Sequence, residues 1–144
     1  MRCSRRLLGL LLFSVGVAAC GGPASRLVTV RPATGSGDVF LEVKNATDTP
    51  VNALFLARTE AVNAADPDRL DGDSAAGQVV WGADQLTTSA IGPGQRMRIG
   101  VAGPGRWDAR AVGRDEREQH VTGLRLEAGG RYVLELNEGG WRAR

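Results

Sequence analysis

The chain reads as an all-β protein, an antiparallel β-sandwich of about seven short strands with one long connecting loop. Three observations predict this. Short runs of alternating apolar and polar residues recur between residues 27 and 137, the period of a strand with one face buried. Gly92-Pro93-Gly94, Gly103-Pro104-Gly105 and Gly129-Gly130 stand between these runs, and such breaks mark turns. The chain holds 20 glycines, and tight turns draw on glycine because it reaches positive φ without steric cost.

Taken in order, residues 27–31 form a short β-rich run, and Pro32 opens a turn-forming cluster that ends at Gly37. Val39, Leu41 and Val43 alternate with Phe40, Glu42 and Lys44, which predicts a half-buried strand. Asn45-Ala46-Thr47 has the form of a glycosylation sequon and is read as turn material leading to Pro50. Residues 51–57 are apolar enough for a central strand. Met97, Ile99 and Val101 alternate with Arg96, Arg98 and Gly100, and Trp107, Ala109 and Ala111 alternate with Asp108 and Arg110. Strand signals are weaker over 117–122 and 124–126 and good over 131–137. Helix is expected only as a turn or two within 59–65 or 83–88. The connection over 58–94 is long for a compact domain, and long connections are often functional.

The N-terminus carries an address. Arg2, Arg5 and Arg6 precede an apolar run of 13 residues over 7–19, and Cys20 follows it. That run is too short to cross a hydrocarbon core, which takes roughly 20 helical residues, and it has the layout of a secretory signal. With Val17-Ala18-Ala19-Cys20 at its end, the stretch resembles the signal peptide of a bacterial lipoprotein. The resemblance implies a signal peptide over 1–19, a lipidated linker over 20–26 and the sandwich domain over 27–144. It further implies lipid on the Cys20 thiol, a membrane anchor and a cell-envelope location. With Gly21 and not aspartate after the cysteine, it implies the outer membrane in preference to the inner where a cell has two. Each buried methylene of such an anchor is worth about 0.8 kcal/mol. The alternative is an ordinary signal cut that leaves Cys20 as a free thiol.

From Cys20 onward the chain has 15 basic and 16 acidic residues, because Arg2, Arg5 and Arg6 leave with the signal. A total this close to neutral points away from nucleic acid and from polybasic docking on anionic lipid. Cys3 also leaves with the signal, so with Cys20 acylated the domain has no disulfide.

Two parts of the 58–94 connection carry candidate chemistry. Asp66, Asp68, Asp71 and Asp73 gather oxygen ligands of the kind calcium takes, but Leu70 and Gly77 fall where an EF-hand loop needs ligands. A solvated acidic loop is the preferred reading, and no metal is expected. Trp81-Gly82-Ala83-Asp84-Gln85-Leu86 is the other part. Trp81 is either a core anchor, since an indole buries some 200 Å², or an exposed platform for a sugar or peptide, with Asp84 or Gln85 hydrogen-bonding beside it. Trp81 and Asp84 are therefore the candidate binding residues. Followed by Pro93-Gly94 and Trp107-Asp108-Ala109-Arg110, the segment resembles a group of small secreted bacterial β-domains of no established activity. In that group cysteines stand near the positions of Gly105-Arg106 and Leu124-Arg125-Leu126, where this chain has none.

No nucleophile motif is present, and His120 is the single histidine. General-base work needs a nucleophile and an orienting group in reach, and zinc needs several His or Cys ligands. The reading is therefore not an enzyme and needs no cofactor. It is a lipid-anchored envelope module with a binding or structural role, held to a membrane through Cys20 and facing an envelope protein, with no nucleic acid. An envelope-polymer hydrolase and a small-ligand carrier are the alternatives. The first needs a cleft with a carboxylate pair, and the second needs an apolar cavity inside the sandwich.

Overall fold

A computed structural model describes residues 22–65 and 75–144. The signal stretch over 1–19, Cys20 and the aspartates Asp66, Asp68, Asp71 and Asp73 lie outside the described residues. Seven strands form two sheets: β1 (Arg26–Arg31), β2 (Phe40–Ala46), β3 (Val51–Arg58), β4 (Arg96–Ile99), β5 (Gly105–Gly113), β6 (Glu118–Leu126) and β7 (Arg131–Asn137). Two short helices, α1 (Thr59–Ala64) and α2 (Ala75–Trp81), follow β3, and a single 3-10 turn (Glu138–Gly140) follows β7.

One sheet is ordered β1-β7-β2-β4 and the other β3-β5-β6. Their inner faces meet in one apolar cluster. Leu41 and Val43 of β2, Leu54 of β3, Leu126 of β6, and Leu134 and Leu136 of β7 are fully buried in it, and Trp107, Ala109 and Ala111 supply the β5 face. This is the alternation read from the sequence, now in register across strands.

The sheets are antiparallel with one exception, since β2 pairs with β7 in parallel. The cause is topological. β1 and β2 run in opposite directions with a one-strand gap between them, and β7 fills it. A strand placed between two opposed strands is parallel to one of them whichever way it enters.

The long connection is more ordered than a loop. α1 lies where a helical turn was expected, whereas residues 85–88 form a hydrogen-bonded turn and not helix, with Thr87 at φ 53°. α2 was not expected. Gly77 and the β-branched Val79 and Val80 lower its helix propensity and hide it. Gly82 ends it at φ 71°, its N–H donating to the Gln78 carbonyl at 2.9 Å, as a glycine just past a helix C-terminus does. Both helices contact the outer side of the three-stranded sheet. β5 is consequently buried on both faces: Asp108 is 1% exposed and Arg110 2%.

The sequon was read as turn material, but Asn45 and Ala46 end strand β2 and the chain bends only from Thr47. Asn45 is fully buried. Its Nδ2 donates to the carbonyls of Thr49 and Ile91, and its Oδ1 accepts from the Thr47 backbone and hydroxyl.

Candidate functional site

The structure separates the two candidate binding residues and gives each a place in the fold. Trp81 is 2% exposed, against the outer side of the three-stranded sheet and apart from the main apolar cluster. Its ring meets His120 edge-on, with centroids 5.6 Å apart and planes at 68°. Buried in this way, the indole offers no open face for a sugar to stack on. Asp84 Oδ1 accepts two backbone N–H groups, from Leu54 at 2.9 Å and from Leu86 at 3.0 Å. Gln85 N–H donates to the Leu54 carbonyl, and Val51 pairs with Ile91. The 84–91 segment thus closes the open edge of β3, where an unpaired strand would otherwise invite association.

Polar residues converge on the same side of the sheet. Arg110 Nε donates to Glu118 Oε2 at 3.0 Å, and its Nη2 donates to Glu118 Oε1. Arg144 reaches Glu118 Oε1 at 3.1 Å, and His120 Nε2 lies 3.2 Å from Glu118 Oε2. Burial by itself would raise the Glu118 carboxyl. Hydrogen bonds from Arg110 and His120, with the charges of Arg110 and Arg144, outweigh it and hold the group below the ordinary glutamate value. Arg110 therefore pairs with Glu118 and with neither Asp84 nor Asp108. Asp108 and Glu118 do not meet. Asp108 Oδ1 accepts from the Thr59 hydroxyl at 2.7 Å and from Gly123 N at 2.8 Å, across a bulge in β6.

Beside Glu118 and His120 opens a cleft of about 540 Å³, closed on its other side by Ser25, Gly139, Gly140 and Arg142. Ser25, the one serine of this wall, donates its hydroxyl to Gln119 Oε1 and accepts from Asn137 N at 2.9 Å. It is held by Gln119 and not by His120, so no hydroxyl–imidazole pair forms here. Among the described residues, no group of three His, Cys, Asp or Glu side chains is placed to hold a metal ion, and no helix is long and apolar enough to cross a membrane.

The cleft wall also shows what the N-terminal segment does. Gly139 N donates to the Pro23 carbonyl at 3.1 Å, and Asn137 Nδ2 donates to the Ala24 carbonyl at 3.0 Å. A side chain on Gly139 would place its Cβ 1.9 Å from the Gly22 oxygen. Residues 22–25 are thus laid down on the sandwich. No sequence signal marks this, because it depends on two glycines far from the segment they receive.

Searched against protein-family models, curated proteins and solved structures, the chain matches none. The likeness to small secreted β-domains rests on its residues alone. Its two cysteine regions are cross-strand neighbours here, with Gly105 opposite Leu126 and Arg106 opposite Arg125.

Proposed function

We propose that the protein is a lipid-anchored module of the bacterial cell envelope, with a binding or structural role at the membrane surface. The observation that carries this is the docked N-terminal segment. The Pro23 carbonyl is already bonded to the sandwich, three residues past the cysteine that the lipoprotein-like signal marks for acylation. A tether this short holds the domain on the lipid, with the Ser25–Gly139 end of the cleft nearest the bilayer. The charged groups of the cleft also support binding over chemistry: Glu118 is committed to two arginines, a fixed arrangement suited to shape and contact.

Partition between water and a nonionic detergent phase tests the anchor. The wild-type chain is expected in the detergent phase and Cys20→Ala in the aqueous phase. The detergent has no charge, so electrostatic attraction cannot mimic the result. A wild-type protein that stays in water, or a Cys20→Ala variant that stays in detergent, overturns the reading.

A further inference from the structure

The outer face of the four-stranded sheet carries its charges in three rows. Nearest the N-terminal segment, the register aligns Arg26, Glu135, Lys44 and Arg96 across β1, β7, β2 and β4. The next row is Val28, Val133, Glu42 and Arg98, and the third is Arg31, Arg131 and Phe40. Six basic residues therefore share the face with two acidic ones. Glu135 serves both Arg26, at 2.9 Å, and Lys44, at 3.4 Å. Among the described residues, Arg31, Arg96, Arg98 and Arg131 make no ion pair. Arg98 and Arg131 lie instead over the Phe40 ring, 4.3 and 5.6 Å from its centroid. α1 packs on β3 and β5 and α2 on β3 and α1, on the other sheet, while Arg31, Arg96, Arg98 and Arg131 are exposed.

Lys44 stands directly opposite Arg96, and Arg31 opposite Arg131. Like charges in such positions destabilise a sheet. Arg106 faces Arg125 in the same way on the other sheet, so repulsion alone does not single out a site. The distinction lies in four unpaired guanidinium groups on one open surface, with Phe40 and two valines between them. Of the 14 basic and 12 acidic residues among those described, this face takes six and two, leaving eight and ten elsewhere. The near-neutral total conceals a segregated charge.

We infer that this face docks on the anionic headgroups of the membrane that holds the anchor. A guanidinium matches phosphate geometry with two parallel hydrogen bonds and sheds its hydration more readily than an ammonium. Position selects the membrane over a soluble polyanion. The row containing Arg26 and Arg96 begins beside the docked 22–25 segment, so the anchor delivers it to the lipid. The third row lies four residues away along β2 and β7, roughly 13 Å at strand spacing, against a Debye length of about 8 Å. Leaning onto the face brings all three rows within range, with Val28 and Phe40 meeting the interface between the charges. A basic surface beside a lipid anchor adds a second membrane contact, and here it sets which way the cleft points.

This docking rests on the lipid-anchor reading, but the two fail separately. The chain from residue 20 with Cys20→Ala keeps every strand and has no site for acylation. It is sedimented with vesicles of phosphatidylcholine alone, or mixed with phosphatidylglycerol, at low and high salt. Binding is expected only to the phosphatidylglycerol vesicles and only at low salt. Each arginine near an anionic surface contributes roughly a fivefold factor, so Arg31→Ala with Arg96→Ala should lower binding roughly thirtyfold. Arg106→Ala with Arg125→Ala, an equal loss of charge on the other sheet, should bind like the parent. Melting temperatures no lower than the parent's show that the loss is not unfolding, and Arg96→Ala alone, at about a fivefold loss, serves if the pair is unstable. No preference for anionic vesicles, an equal loss in both double variants, or capture of soluble polyphosphate with the vesicles ignored would each overturn the inference.

Discussion

Asp84 shows how much one side chain can decide. Its carboxylate takes the N–H of Leu54, a fully buried residue, and the N–H of Leu86. Asp84→Ala leaves a buried donor without a partner, which costs about 1–3 kcal/mol beyond the small net worth of the bond itself. Asp84→Asn keeps an acceptor oxygen in the same place and should cost less than half as much. Urea unfolding of the two variants measures the difference. Equal losses would mean that charge, and not the edge-closing hydrogen bonds, is what the position requires. The sequence marked Asp84 as a candidate hydrogen-bonding residue beside Trp81. It did not reveal the bond to Leu54, which joins residues 30 positions apart. The same limit applied to Trp81. The sequence left it as core anchor or exposed platform, and only the fold shows it buried beside the His120 ring.

At the scale of elements, strands were legible wherever one face was buried, because alternation is set by that face. Trp107, Ala109 and Ala111 announced β5 in this way. The outer side of β5 was not legible, since Asp108 and Arg110 look like solvent residues until α1 and α2 cover them. Pairing was hidden altogether: β2 and β7 lie about 90 residues apart in sequence, and period-two spacing is silent on direction. The N-terminal segment is the other element that only the structure defines. Gly139→Ala puts a Cβ 1.9 Å from the Gly22 oxygen and 2.7 Å from the Pro23 oxygen, so residues 22–25 must lift away. The expected cost to global stability is about 1 kcal/mol, the worth of a lost hydrogen bond. The larger effect is local. Amide exchange should rise in 22–25 while the β2 and β7 amides stay protected, and uniform exchange throughout would show that the segment is integral to the core.

Taken whole, the molecule has two unlike outer faces. The three-stranded sheet is covered by its own long connection, with its arginine Arg110 neutralised by Glu118. The four-stranded sheet leaves a basic surface open, with Lys44 opposite Arg96 and Arg31 opposite Arg131, and like charges so placed destabilise a sheet. That surface should therefore cost stability. Arg96→Glu converts its opposition with Lys44 into an attractive pair, and is expected to raise unfolding stability by about 0.2–1 kcal/mol while weakening attachment to anionic lipid. Salt provides the control. Salt screens interactions between exposed charges. It weakens the Lys44–Arg96 repulsion in the wild-type chain and the attraction in Arg96→Glu, so the wild-type chain should gain more stability than the variant as ionic strength rises. Unfolding of both chains at low and high salt reads this directly. If Arg96→Glu is less stable at low salt, or if both respond to salt alike, then Arg96 is not repelled by its neighbours, and the open face has not exchanged stability for binding.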